Sequence, residues 1–170
     1  MMKKWFELKK KVMGIETSRA DAQREFDFLL VGARKACLIP ANCLVKANPL
    51  FSKAFDVYFG YGEFALDGTL SEEEEHLYLQ AFVVKKGTDV SSVIVEKDGV
   101  MYFRDLELGI LLGFPPKECH AFSDMEERVL VHYHELHFAT EKSRLDESLE
   151  YVANTFKIPN WMKTEVFVTQ

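Results

Sequence analysis

The run of apolar and polar positions centres the chain on Arg104 to Phe122. Asp105 can offer a side-chain oxygen to the orphan amides of a helix start, and Glu107 puts negative charge in the first turn, where the helix dipole favours it. Gly113 suits the left-handed end of that helix, while Pro115 and Pro116 stop it and fit the first turn of the next. Between these signals Leu108, Ile110, Leu111 and Leu112 leave no polar face, so the helix is expected to be buried and central. Gly109 stands inside it, at a cost of about 1 kcal/mol relative to alanine. Its presence implies that a neighbouring element approaches too closely for a larger side chain.

The rest of the pattern places further elements around this segment. Lys3 to Met13 reads as an amphipathic helix with Trp5, Leu8 and Val12 on one stripe, expected to pack on the domain through Trp5. The competing reading lays the same basic helix on an anionic membrane. Thr17 or Ser18 opens a helix to about Cys37, burying Phe26, Leu29, Leu30, Ala33, Ala36 and Cys37. After Pro40, a short strand is expected over Cys43 to Ala47. The Asn48-Pro49 signal then opens a helix to about Phe59, and Gly60-Tyr61-Gly62 marks a turn. Asp67-Gly68 is another turn, and Ser71 starts a short helix whose Glu72 to Glu75 suit a solvated first turn.

Leu77 to Val84 is rich in strand formers, and Lys97-Asp98-Gly99 between Ser92–Glu96 and Val100–Arg104 is a hairpin signal. Ser123 and Glu126 have capping-box spacing, yet the alternation that follows favours a strand from Arg128 to Phe138. Thr140 or Ser143 starts a helix to Phe156 with Leu145, Leu149, Val152 and Phe156 on one face. Pro159 closes it, and Val166 to Val168 adds an edge strand. No repeat or linker divides residues 1–170, so the expectation is one α+β domain, a small and largely antiparallel sheet packed with several helices.

Composition narrows the function classes. A hydrophobic fraction of 48% is too high for a disordered chain. Residues 1–13 hold five lysines against Glu7, a net charge of +4, leaving −10 for the remainder of a chain whose total is −6. That balance works against nonspecific attraction to nucleic acid. Cys37, Cys43 and Cys119 are odd in number and follow no paired spacing, which suits free thiols in a reducing compartment. No apolar run reaches the roughly 20 residues a membrane helix needs, and the first residues lack a signal-peptide core, so a cytoplasmic location is expected.

Leu108 to Phe122 resembles the helix-turn-helix pattern of bacterial DNA-binding proteins, with Gly109 at the small position, Gly113 in the turn, and Cys119 and Phe122 at apolar positions. The resemblance implies that Pro115, Pro116, Lys117, Glu118, His120 and Ala121 face DNA. That set holds one lysine, one acid and no arginine, a poor match to base and phosphate readout. Glu107 to Pro115 also resembles the central motif of a family of small proteins from clostridia and their relatives that has no assigned activity. That likeness implies a strand and a C-terminal helix downstream and no site residue.

His132 and His134 would share one face of a strand, compatible with a transition metal given further ligands such as His120, Cys119 or a carboxylate. Exposed strand histidines, dispensable for folding, are the simpler reading. Cys119 and His120 are neighbours on a helix and diverge by about 100° there, so they do not form a thiol and base dyad. Walker, Gly-x-Ser-x-Gly and His-Glu-x-x-His patterns are absent. No catalytic, cofactor or metal residue is therefore assigned. The expected function is a binding or regulatory module acting through protein contact or self-association as a homodimer. A small metal-dependent enzyme using His132 and His134, and a DNA-binding regulator, are the alternatives.

Overall fold

The structure is a computed structural model that describes residues 2–13, 16–46, 51–121 and 124–170. Helix α1 (Met2–Met13), strand β1 (Glu16–Thr17) and helix α2 (Ala20–Leu30) lead into strands β2 (Ala36–Pro40) and β3 (Leu44–Lys46). The single turn α3 (Phe51–Ala54) runs into the long strand β4 (Phe55–Gly62), followed by helix α4 (Glu72–Tyr78) and strand β5 (Gln80–Lys85). Strands β6 (Ile94–Lys97) and β7 (Val100–Phe103) precede helices α5 (Asp105–Leu111) and α6 (Pro116–Ala121). Strands β8 (Arg128–Tyr133) and β9 (Leu136–Glu141), helix α7 (Leu145–Thr155) and strand β10 (Val166–Thr169) complete the order.

Two sheets carry the architecture. The larger has strand order β2-β5-β4-β7-β6 and is antiparallel except between β4 and β7. The smaller, of order β10-β8-β9, is wholly antiparallel, and β1 pairs with β3 as a separate ribbon. Helices packed on largely antiparallel sheets give the α+β class that the order of elements implied.

The larger sheet is covered on both faces. Phe26, Leu29 and Leu30 of α2 pack on Cys37, Ile39, Ala81 and Val83, while Ala36, Phe82, Val84 and Phe103 meet Leu108 of α5 and Leu112 just after it on the opposite side. Phe28 leaves α2 in another direction and joins Val131, Leu136 and Phe138 of the small sheet with Val152 of α7 and Phe156 just after it. One helix thus wedges two sheets together. Burying Phe26 and Phe28 completely stabilises the fold by about 2–3 kcal/mol each.

Burial on both faces explains where the chain departs from its pattern. Helix α2 ends at Leu30 rather than Cys37, because Gly32 adopts φ 78° and Ala36 and Cys37 already belong to β2. The apolar run of a doubly covered strand lacks alternation and reads as a continuing helix. Its cap position is Arg19, and Ser18 instead donates its amide to the Cys43 carbonyl at 2.9 Å. The helix expected to Phe59 stops at Ala54, because Phe55 to Gly60 pair with β5. Asn48 and Pro49 lie outside the described residues. Gly60-Tyr61-Gly62 is strand, not turn: a Cβ at Gly60 would lie 2.6 Å from the Met101 carbonyl oxygen, so glycine admits the neighbouring strand β7.

Local signals fared better. Ser71 and Glu74 form a reciprocal capping box, although α4 continues through Leu77 and Tyr78 and the strand begins only at Gln80. The Asp98-Gly99 turn joins β6 to β7 with both residues at positive φ. The central helix needs two corrections. Asp105 lies inside its first turn, and the Asp105 amide is met by Glu63 Oε2 at 3.1 Å rather than supplying a cap itself. The helix is also not buried all round, since Leu108 and Leu112 point into the core while Ile110 is exposed.

At the N-terminus the expected helix forms, but Trp5 does not anchor it. Phe6 is buried instead, with its ring centroid 5.2 Å from that of Trp161, while Trp5 remains 68% exposed. Lys9 Nζ donates to the Leu30 carbonyl at 2.6 Å, and Lys10 pairs with Asp27 at 3.2 Å.

Candidate interaction surface

The histidines are the first test of chemistry. Residues 128–138 are not one strand: β8 turns at His134 (φ 51°) and Glu135 (φ 71°) and returns as β9. Two left-handed residues in succession match the hairpin twist, although neither is glycine. His132 and His134 therefore do not share a face. His134 is buried in the turn with Nδ1 2.6 Å from the Thr164 carbonyl oxygen and 3.1 Å from its amide nitrogen. His132 pairs across the ladder with His137, their rings 4.6 Å apart, and stacks on Phe167 of β10 at 4.3 Å. Among the described residues no group of three or more His, Cys, Asp or Glu side chains is placed to hold a metal ion.

The thiols point the same way. Cys37 lies fully buried in β2, and burial, then the charge of Glu25, pushes its pKa far up. Burial, then the charge of Glu118, raises the Cys119 thiol to about 11. Both shifts oppose thiolate formation, the reverse of what a nucleophile requires. All three cysteines are free.

Helix α6 is tied down rather than presented. Glu118, grouped by the helix-turn-helix likeness with the outward residues, is turned inward and 3% exposed. Its carboxylate accepts from Arg144 Nε at 2.6 Å and from the Glu141 amide at 2.9 Å. Burial alone would raise this carboxyl. The bonds from Arg144 and the Glu141 amide, with the guanidinium charge, outweigh it and hold the group below the usual glutamate range. Lys117, the one lysine of the set, pairs with Glu147 at 2.5 Å.

A cleft of about 660 Å³ opens between α5, the end of α7 and the loop that follows α2, lined in part by Lys35, Glu107, Tyr151 and Lys157. Its buried cation is already engaged. Arg34 pairs with Glu25, donates Nε and Nη2 to the Leu112 carbonyl at 3.2 and 2.9 Å, and lies over the rings of Phe114 and Phe156. It satisfies an orphan carbonyl at the end of α5 and joins the layers, which is a structural role.

What the fold leaves open is surface. Strand β10 is the edge of the small sheet, in unbroken register from Val166 opposite Tyr133 to Thr169 opposite Leu130. Val166, Phe167 and Val168 are 40%, 45% and 38% exposed, and Leu130 beside them is 40% exposed. The opposite edge, β9, differs: the Glu118 carboxylate takes the Glu141 amide, and Glu141 itself accepts from the amides of Glu126 and Glu127. Edge strands are usually blunted by a lysine, a proline or a bulge, and β10 has none of these. The sequence marked the strand at Val166 to Val168. The partnership of His132 with Phe167 and Thr169, whose Oγ1 lies 3.2 Å from His132 Nε2, had no sequence signal. No protein family, curated protein or solved structure matches this chain.

Proposed function

We propose that this protein is a cytoplasmic binding module that self-associates through β10, two copies pairing their edge strands antiparallel to extend the small sheet across a two-fold axis. The observation that carries the reading is the uncharged, straight Val166–Thr169 edge with three large apolar side chains exposed. Pairing would complete the backbone bonds of the edge and set the exposed Val166, Phe167 and Val168 of one copy beside those of the other. A two-fold contact is self-complementary, so one patch suffices. The three free thiols are compatible with a reducing location. Among the described residues no helix is long and apolar enough to cross a membrane.

Analytical ultracentrifugation from micromolar to hundred-micromolar protein tests the reading. The parent chain should sediment as a concentration-dependent dimer. The double variant Val166→Lys/Val168→Lys, which puts like charges on both partners at an already exposed edge, should be monomeric with an unchanged far-UV spectrum. A monomeric parent, or a charged-edge variant that still dimerises, would refute the proposal.

A further inference from the structure

We infer that α1 is a reversible docking helix for an anionic lipid bilayer, lying in the plane of the surface. This does not rest on self-association through β10. Among the described side chains the helix is held through one side: Phe6 is buried beside Trp161, while Lys9 and Lys10 hold the Leu30 carbonyl and Asp27. On its other side Met2, Trp5 and Leu8 are 66%, 68% and 51% exposed. They continue into an apolar groove of about 640 Å³ completed by Leu30 and Val31.

The occupant follows from charge and shape together. Residues 1–13 carry a net +4 in a chain that is otherwise −10, and Lys3 and Lys4 are exposed next to the apolar stripe. A flat anionic surface meets stripe and lysines at once. The indole of Trp5 suits the headgroup level, where its ring is buried and its N–H stays wet. Twelve helical residues cannot span a bilayer, so the helix lies along it. A few apolar side chains and a few cations give attachment that salt can reverse.

Flotation of the full chain with vesicles decides the matter. The parent should float with phosphatidylglycerol/phosphatidylcholine vesicles, not with phosphatidylcholine alone, and should be released as salt is raised. Leu8→Glu, and separately Lys3→Glu with Lys4→Glu, should weaken binding by about tenfold or more. Trp5→Phe, which retains Trp161, should abolish the blue shift of tryptophan emission on vesicle addition. These side chains are exposed, so an unchanged thermal midpoint is expected, and the lipid and salt arms on the parent stand even if one variant misfolds. Absent or charge-indifferent binding by the parent would overturn the inference, as would folded variants that bind like the parent. Equally, it fails if the variants lower the protein's assembled mass without vesicles, which would make α1 a contact between copies.

Discussion

Gly109 offers the sharpest test of the packing argument. A Cβ built on it would sit 2.9 Å from Cys119 Sγ and 3.7 Å from Cys119 Cβ, so α6 approaches α5 at the glycine. Gly109→Ala gains about 1 kcal/mol of helix propensity. Against this, the half-buried thiol must leave its rotamer, at about 0.5–1.5 kcal/mol. The two effects nearly cancel, and Gly109→Ala should lie within about 0.5 kcal/mol of the parent. Gly109→Leu directs three more heavy atoms at the same place and should destabilise by roughly 1–3 kcal/mol. Removing the obstacle supplies the control: in a Cys119→Ala background, Gly109→Ala should become stabilising by about 1 kcal/mol, so the two sites couple. Urea unfolding followed by circular dichroism, at constant m-value, measures the parent and the four variants. A Gly109→Leu protein as stable as the parent, or a double variant whose effects simply add, would refute the close approach of α5 and α6.

Further outcomes concern Glu118, the histidines and the thiols. Glu118→Gln should cost about 2–3 kcal/mol at neutral pH, because Arg144 loses its carboxylate. The carboxyl of Glu118 lies below its unfolded value, so its contribution is complete above the ordinary glutamate range and fades as pH falls through the folded value. The stability gap between parent and Glu118→Gln should therefore narrow in acid, as paired melts from pH 6 to pH 3 would show. His134→Ala should cost about 1–2 kcal/mol through its lost bond to Thr164, whereas His132→Ala should cost less than about 1 kcal/mol; chemical denaturation ranks the two. Native protein should leave Cys37 unreacted and Cys119 slow towards a thiol reagent at neutral pH, with all three cysteines reacting once unfolded. Mass spectrometry of protein prepared without reductant should show no bridge between Cys37 and Cys43.

The sequence by itself determined the elements whose causes are local. The Asp98-Gly99 turn, the Ser71 and Glu74 capping box, the left-handed Gly113 and the apolar face of α7 each depend on a few neighbouring residues, and each stands where those residues place it. The edge strand at Val166 was legible too, as was the α+β class. Only the tertiary structure decided the rest. Strands β2 and β4 take their conformation from pairing with β5, so Ala36 and Cys37 look helical and Gly60 looks like a turn until the partner strands are present. The His134-Glu135 hairpin has no glycine to announce it, and it separates the two histidines that a continuous strand would have aligned. At the N-terminus the amphipathic stripe was plain, but which side of a helix meets the domain depends on the cavity that awaits it. Phe6 found that cavity beside Trp161, and the stripe of Trp5 and Leu8 was left facing outward.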